Sequence, residues 1–221
     1  LSSKVLTTSA GRSNRRAKEG KIMPALLEHQ VIDLLQSYEI PCPPHAFASS
    51  PQEAAAAAQK LSFPVVMKIV SPDILHKSDV GGVRLNLKDA GAVFAAYAQM
   101  MQTVSTKCPQ ALLKGVILYP QVADGLEVIV GVTQDVTFGP VLMFGLGGIF
   151  VEVMRDVAFR AIPIHPTDAY QMIHSIKNYK VLQGWRGQKP VDIDRLASLL
   201  CNVSRLVNEH PEIAEMDLNP V

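Results

Sequence analysis

The sequence predicts an α+β protein built as two lobes. Three observations carry this. The chain of 221 residues is 48% hydrophobic and 19% charged, an ordinary globular composition with length for one large domain or two small ones. The first half alternates amphipathic helical patterns with three strand patterns. The second half packs four strand-like runs between residues 115 and 164, then turns helical. The break is expected near residue 110, giving an arm or linker over 1–21, a first lobe over 22–110 and a second over 111–221.

The elements follow in order. LSSKVLTTSAGRSNRRAKEGK is basic and lacks an apolar period, so it reads as an arm that is ordered only where it docks. After Pro24, Leu27, Val31, Leu34 and Leu35 fall on one helical face, and IPCPP ends that helix. HAFAS is a short strand. Ser50 and Glu53 have capping-box spacing before AAAAAQKL. FPVVMKIV is a continuous apolar run of the kind found in central strands. Val83, Leu85 and Leu87 alternate with polar residues as in a half-buried strand, and Asp89 can cap the helix that follows. GVILYPQV, EVIVGVT, VLMFGLG and IFVEVMRDVAFRAIPI are expected to form an antiparallel sheet, mostly through hairpins. TDAYQMIHSIK and IDRLASLLCNVSRLVNEH read as helices, the latter with Leu196, Leu199, Leu200, Val203 and Leu206 on its face, and EMDLNPV as a last short strand.

Charge and cysteine content exclude several classes. A net charge of +1 gives no global field for nucleic acid. The three cysteines, Cys42, Cys108 and Cys201, lie far apart without zinc spacing, as in a reduced cytoplasmic protein. No run approaches the ~20 apolar residues of a membrane span, and no apolar core of a signal peptide follows the basic start. Leu1 in place of a methionine reads as a chain either trimmed or cut from something longer.

The segment KIVSPDILHKSDVGGV carries the chemistry. Lys68 ends a buried-looking strand and needs a counter-charge or a cleft for its head. Gly81 and Gly82 allow backbone N–H groups to approach an anion, with Lys77 and Arg84 adding positive charge; a plain hairpin turn with a snorkelling Lys68 fits the same residues. His76 sits inside this polar loop, where a neutral imidazole can act as a nucleophile. Glu215, Asp217 and Asn219 alternate along a strand and so share one face, a pattern of oxygen donors that suits a hard cation such as Mg²⁺. A solvated edge strand is the other reading. The GLGG at Gly145–Gly148 is either an anion nest or a tight turn.

Taken together, the strand lysine, SPDILHKSDVGGV, GLEVIVGVTQDVTFGPVLMFGLGGIFVEVMRDVAFRAIP and EMDLNPV resemble the ATP-grasp domain of NDP-forming acyl-CoA synthetases, in particular the β subunit of ADP-forming acetate–CoA ligase. The resemblance covers about residues 22–221. It implies an ATP-grasp fold with a nucleotide cleft between two lobes, ATP or ADP and Mg²⁺ as cofactors, and an α-type CoA-binding subunit or domain as partner. It implies Lys68 on the nucleotide phosphates, Ser71 to Val83 (Ser71, Gly81 and Gly82 included) as the phosphate-covering loop, and Ile117 to Tyr119 as a hinge strand offering backbone groups to adenine. It also implies Glu127 on the ribose hydroxyls, and Asn219 with Asp217 at the metal. His76 matches the histidine that relays a phosphoryl group between a partner's phosphohistidine and ADP. Glu152, with Glu215 second, is the candidate carboxylate to orient its imidazole; Arg155 and Arg160 would bind phosphate or pair with acids.

The implied activity is that of an acid–thiol ligase: acyl-CoA + ADP + phosphate ⇌ acid + CoA + ATP, active only with the partner. Two other readings share the fold: a non-catalytic ATP-grasp module of a multidomain acyltransferase, and a carboxylate–amine ligase that forms no phosphoprotein. Two departures stand beside the resemblance. The family continues beyond NPV with a strand whose acid completes the metal site, and no CoA-binding domain is visible here.

Overall fold

A computed structural model describes residues 2–6, 26–74, 76–122, 125–148, 156–184, 189–219 and 221. The chain groups into two compact units: residues 1–26, 31–42 and 125–221 form one, and residues 27–30 and 43–124 the other. In chain order the elements are β1 (Ser2–Leu6), α1 (Glu28–Ser37), β2 (Ala46–Ala48), α2 (Pro51–Leu61), β3 (Val65–Val70), β4 (Val83–Leu87) and α3 (Ala90–Lys107). Then come β5 (Gly115–Pro120), β6 (Val128–Asp135), β7 (Gly139–Leu146), β8 (Val157–Ala161), α4 (Pro166–Ser175), α5 (Ile193–Glu209) and β9 (Glu215–Asn219).

The smaller unit is a four-stranded antiparallel sheet in the order β2-β5-β3-β4, covered by α2 and α3. Its helix starts are the ones the sequence foretells. Ser50 Oγ accepts from Glu53 N at 3.2 Å, and Asp89 Oδ1 accepts from Ala92 N at 2.8 Å. Each such cap is worth about 1 kcal/mol. Tyr97 Oη on α3 donates to Ser49 O at 2.6 Å and so fixes one helix against the start of the other. Ala54, Ala58, Val93, Met100 and Val104 pack on Met67, Ile69 and Leu118 of the sheet.

Two expectations change here. GVILYPQV does not join the strands that follow it. As β5 it pairs with β2 and β3, because its Gly115–Tyr119 run is buried on both faces and so belongs at the centre of a sheet covered on each side. In β4 the alternation fails at Leu85, which is 63% exposed. The register against β3 shifts between Val65 and Met67, and Asn86 adopts a left-handed φ of 57°. A bulge of this kind re-aims the side chains beyond it.

The larger unit is a five-stranded antiparallel sheet in the order β1-β9-β6-β7-β8, with α4 and α5 on its core side. Ser2–Leu6, inside the expected arm, is docked as the edge strand on β9. The hairpin joining β6 and β7 is turned by Asp135, whose Oδ1 accepts from Thr137 N at 2.8 Å and Phe138 N at 3.0 Å. The predicted stripe of α5 (Leu196, Leu199, Leu200, Val203 and Leu206) is buried throughout. Full burial of each such side chain stabilises by about 1.5–3 kcal/mol. Asp156, 3% exposed, receives Lys177 N at 2.7 Å, Asn178 N at 2.7 Å and Asn178 Nδ2 at 2.8 Å, and ties the entry of β8 to the chain after α4. None of the described helices is long and apolar enough to cross a membrane.

Candidate functional site: a half-buried lysine pair beside an exposed histidine

In the smaller unit, Lys68 on β3 and Lys77 in the loop after it converge on one carboxylate, Glu28 at the start of α1. Lys77 Nζ lies 3.0 Å from Glu28 Oε2 and Lys68 Nζ 3.8 Å from Glu28 Oε1. Tyr119 Oη on β5 donates to Glu28 Oε1 at 2.6 Å, and its ring lies under the Lys68 ammonium, 5.0 Å from centroid to Nζ. The Glu28 side chain is 3% exposed and each lysine side chain 14%. Burial pushes the Lys68 ammonium below the ordinary lysine range; the Glu28 carboxylate opposes that fall and the Lys77 charge adds to it.

Glu28 was not foreseen among the candidate residues. The signal was present: Glu28, Val31, Ile32 and Leu35 stand at helical spacing i, i+3, i+4 and i+7, so a carboxylate falls on the apolar stripe. A helix usually buries a charge there only where a partner awaits it.

The loop between β3 and β4 is closed on itself. Ser71 Oγ accepts from Asp73 N at 3.1 Å, and Asp73 Oδ2 accepts from Leu112 N at 2.7 Å. Gly81 N donates to Ser78 O at 3.0 Å and Gly82 N to Lys77 O at 2.7 Å. These two glycines therefore make the turn, and their N–H groups are spent within the loop instead of pointing at an anion. Gly81 has φ +78°, and a Cβ on Gly82 would stand 2.5 Å from Ile69 Cγ2. Arg84 turns back onto the same turn, with Nη1 donating to Gly81 O at 2.9 Å and Val83 O at 3.1 Å. His76 is exposed, next in sequence to the half-buried Lys77.

Ile117 and Tyr119 lie on β5. Ile117 sits between Phe47 of β2 and Lys68 of β3, so its backbone is inside the sheet. β5 ends at Pro120, and Val122 beyond it is 80% exposed.

The larger unit gathers other candidates. Gly147 N donates to Glu127 O at 2.7 Å, and a Cβ on Gly147 would stand 2.9 Å from Glu127 Cβ. The GLGG turn is thus packed on the exposed Glu127, and glycine is needed for that approach. Val128 and Val221 exchange N–H···O bonds at 3.1 and 2.8 Å, which brings the chain after β9 beside Glu127. Asp217 and Asn219 are half-buried and Glu215 exposed, while Met216 and Leu218 between them are buried, as the alternation requires. Among the described residues no three His, Cys, Asp or Glu side chains form a metal cluster. Arg160 is on β8, its Nη1 donating to Phe159 O at 2.8 Å. Glu152 and Arg155 lie outside the described residues.

Acetate–CoA ligase [ADP-forming] I of Archaeoglobus fulgidus is 43% identical over 95% of this chain, which spans 31% of that protein's length. The β subunit of acetate–CoA ligase [ADP-forming] I of Pyrococcus furiosus is 47% identical over 89% of this chain and 84% of its own. The solved acetyl-coenzyme A synthetase 1 of Ca. Korarchaeum cryptofilum, in complex with coenzyme A and Mg-AMPPCP and with its phosphohistidine segment pointing towards the nucleotide-binding site, superposes with a TM-score of 0.76 at 42% identity. That match covers 89% of this chain and 84% of that one. Residues 17–221 match the ATP-grasp domain family, and the chain belongs to that family.

Proposed function

We propose that this chain is the nucleotide half of an ADP-forming acyl-CoA synthetase, working with an α-type chain or domain that binds CoA and the acyl group. The overall reaction is acyl-CoA + ADP + phosphate ⇌ acid + CoA + ATP. The observation that carries the reading is the exposed His76 held one residue from Lys77, in a half-buried cluster whose two lysines face one buried carboxylate. That arrangement sets two lysines beside a nucleophile that a partner can reach.

The relay has two displacements. A ring nitrogen of His76 attacks the phosphorus of the partner's phosphohistidine; the N–P bond to the partner breaks as the one to His76 forms. An oxygen of the ADP β-phosphate then attacks the same phosphorus, the His76 N–P bond breaks, and ATP results. Such transfers rest on in-line positioning and charge neutralisation. Lys68 neutralises phosphate charge, Glu127 on its glycine turn receives the ribose hydroxyls, and the chain after Tyr119 meets the base. Glu152, or Glu215, orients the His76 ring. Asp217 and Asn219 present two oxygen donors on one strand face, which fits Mg²⁺, an ion that keeps waters and takes its other ligands from phosphates. Mg²⁺ would supply neutralisation of the transferred group's charge. The free thiols of Cys42, Cys108 and Cys201 support placement in the reducing cytoplasm.

The test is reconstitution. The chain is mixed with an α-type CoA-binding chain from a related synthetase, acetyl-CoA, ADP, phosphate and Mg²⁺, and ATP is measured. Wild type is expected to form ATP and His76→Ala to form none. ATP formation by His76→Ala at the wild-type rate would overturn the relay.

A further inference from the structure

His76 stands in the loop between β3 and β4, and both flanks of that loop are fastened to one part of the smaller unit. Three residues before the histidine, Asp73 Oδ2 accepts from Leu112 N at 2.7 Å. Three residues after it, Asp79 O accepts from Lys107 Nζ at 3.3 Å. Lys107 is the last residue of α3, and Leu112 lies in the chain that leads from α3 into β5. The loop also lies close on that helix: a Cβ on Gly81 would stand 3.3 Å from Thr103 Cγ2. The end of α3 and the chain after it thus grip the histidine loop from both sides.

The near flank is held in two ways that differ in kind. Ile74 is buried in the core of the smaller unit. Apolar burial is non-directional: it sets the depth of the chain and leaves the backbone free to turn about that side chain. Asp73 removes this freedom. Its N–H donates to Ser71 Oγ at 3.1 Å while its carboxylate receives Leu112 N, and hydrogen bonds weaken steeply when they are bent. Asp73 is exposed and Leu112 is 52% exposed, so their bond contributes little to global stability. What it contributes is orientation.

We propose that Asp73 is a positioning residue for phosphoryl transfer: its carboxylate, held on Leu112 N, fixes the direction in which the chain approaches His76 and so aims the imidazole. This rests on the reading that His76 accepts the phosphoryl group. With ATP as donor, a ring nitrogen of His76 attacks the γ-phosphorus, the N–P bond forms as the bond to the β–γ bridging oxygen breaks, and ADP leaves. Asp73 takes no part in these bond changes. In-line displacement needs the attacking nitrogen in the right place, and a misplacement of about 1 Å can cost about 100-fold in rate. Loss of the carboxylate therefore slows transfer to His76 without a matching loss of nucleotide affinity, a split that a purely structural role would not produce.

The experiment is single-turnover labelling of the full chain with γ-labelled ATP and Mg²⁺, quenched in base at intervals. The proteins are wild type, Asp73→Ala, Asp73→Asn, Lys107→Met, Asp89→Ala and His76→Ala, each also titrated calorimetrically with Mg-ADP and melted. Asp73→Ala is expected to take up label about 10- to 100-fold more slowly than wild type, with its affinity for Mg-ADP changed by less than about threefold. Asp73→Asn keeps an oxygen acceptor for Leu112 N and should recover most of the rate. Lys107→Met loosens the far flank and should slow labelling by less; it carries the test if Asp73→Ala does not fold. Asp89→Ala removes the cap at the other end of α3, which lowers stability without touching the loop, and should label at the wild-type rate. Labelling of Asp73→Ala at the wild-type rate would overturn the proposal, and so would an equal loss of rate in Asp89→Ala. Failure of the parent reading looks different: His76→Ala would take up label, or wild type would take up none, and the proposal would fall with it.

Discussion

Gly82→Ala is the sharpest structural prediction. An added Cβ would stand 2.5 Å from Ile69 Cγ2, 3.3 Å from Ile69 Cβ and 2.9 Å from Lys77 O. The Lys77 carbonyl cannot yield alone, because it accepts from Gly82 N at 2.7 Å, and Gly82 O in turn accepts from Ile69 N at 2.8 Å. Relief requires the turn to lift from β3. Overpacking of this kind costs about 1–3 kcal/mol, and weakening one of the two backbone bonds adds about 1 kcal/mol. A total near 2–4 kcal/mol is expected, or about 4–16 °C in Tm for a chain of this size. Urea unfolding and a thermal melt would measure it. Gly125→Ala is the control, since nothing lies within 4 Å of its added Cβ, and it should stay within about 0.5 kcal/mol of wild type. A Gly82→Ala protein as stable as Gly125→Ala would refute the close packing of the His76 loop on β3.

Three further outcomes are expected. Asp156→Asn should destabilise by about 2–3 kcal/mol at neutral pH, because an amide nitrogen would face buried N–H donors. Burial alone would raise the Asp156 carboxyl, but the N–H groups of Lys177 and Asn178 and the Asn178 amide outweigh it and hold it below the usual range. A lowered folded value contributes stability that is fully present above the unfolded value of about 3.9 and is lost as pH falls through the folded one. The difference between wild type and Asp156→Asn, followed by urea unfolding, should therefore shrink as the solution is acidified below about pH 4. Lys68→Met should weaken Mg-ADP binding by roughly 10- to 100-fold, as expected for loss of one charge-assisted contact, while stability changes little because burial of that ammonium is already unfavourable; calorimetry and a melt would check both.

Much of the fold was legible because it is set by short-range rules. Ser50 and Asp89 cap the helices that their side chains predict, and the α5 stripe reads directly from helical period. The alternation of β9 likewise put Asp217 and Asn219 on one face. Long-range pairing was less legible. The strand pattern of β5 says that it is buried on both sides but not which sheet takes it, and chain order pointed to the wrong neighbours. The position of Leu85 depends on a bulge that only the register against β3 reveals. In the candidate site, Lys68 and His76 stood out as polar residues at the end of an apolar strand. Glu28 did not, because its partners Lys68, Lys77 and Tyr119 are distant in sequence. The glycine pair was ambiguous between nest and turn, and the hydrogen-bond partners of its N–H groups resolve it.

On the proposed reading, His76 carries a phosphoryl group. The direct measurement is labelling of the chain with γ-labelled ATP and Mg²⁺, beside His76→Ala, followed by acid and base treatment of the labelled protein. Wild type is expected to carry label that is lost in acid and kept in base, and His76→Ala none. Equal label on the variant, or label on wild type that survives acid, would contradict it.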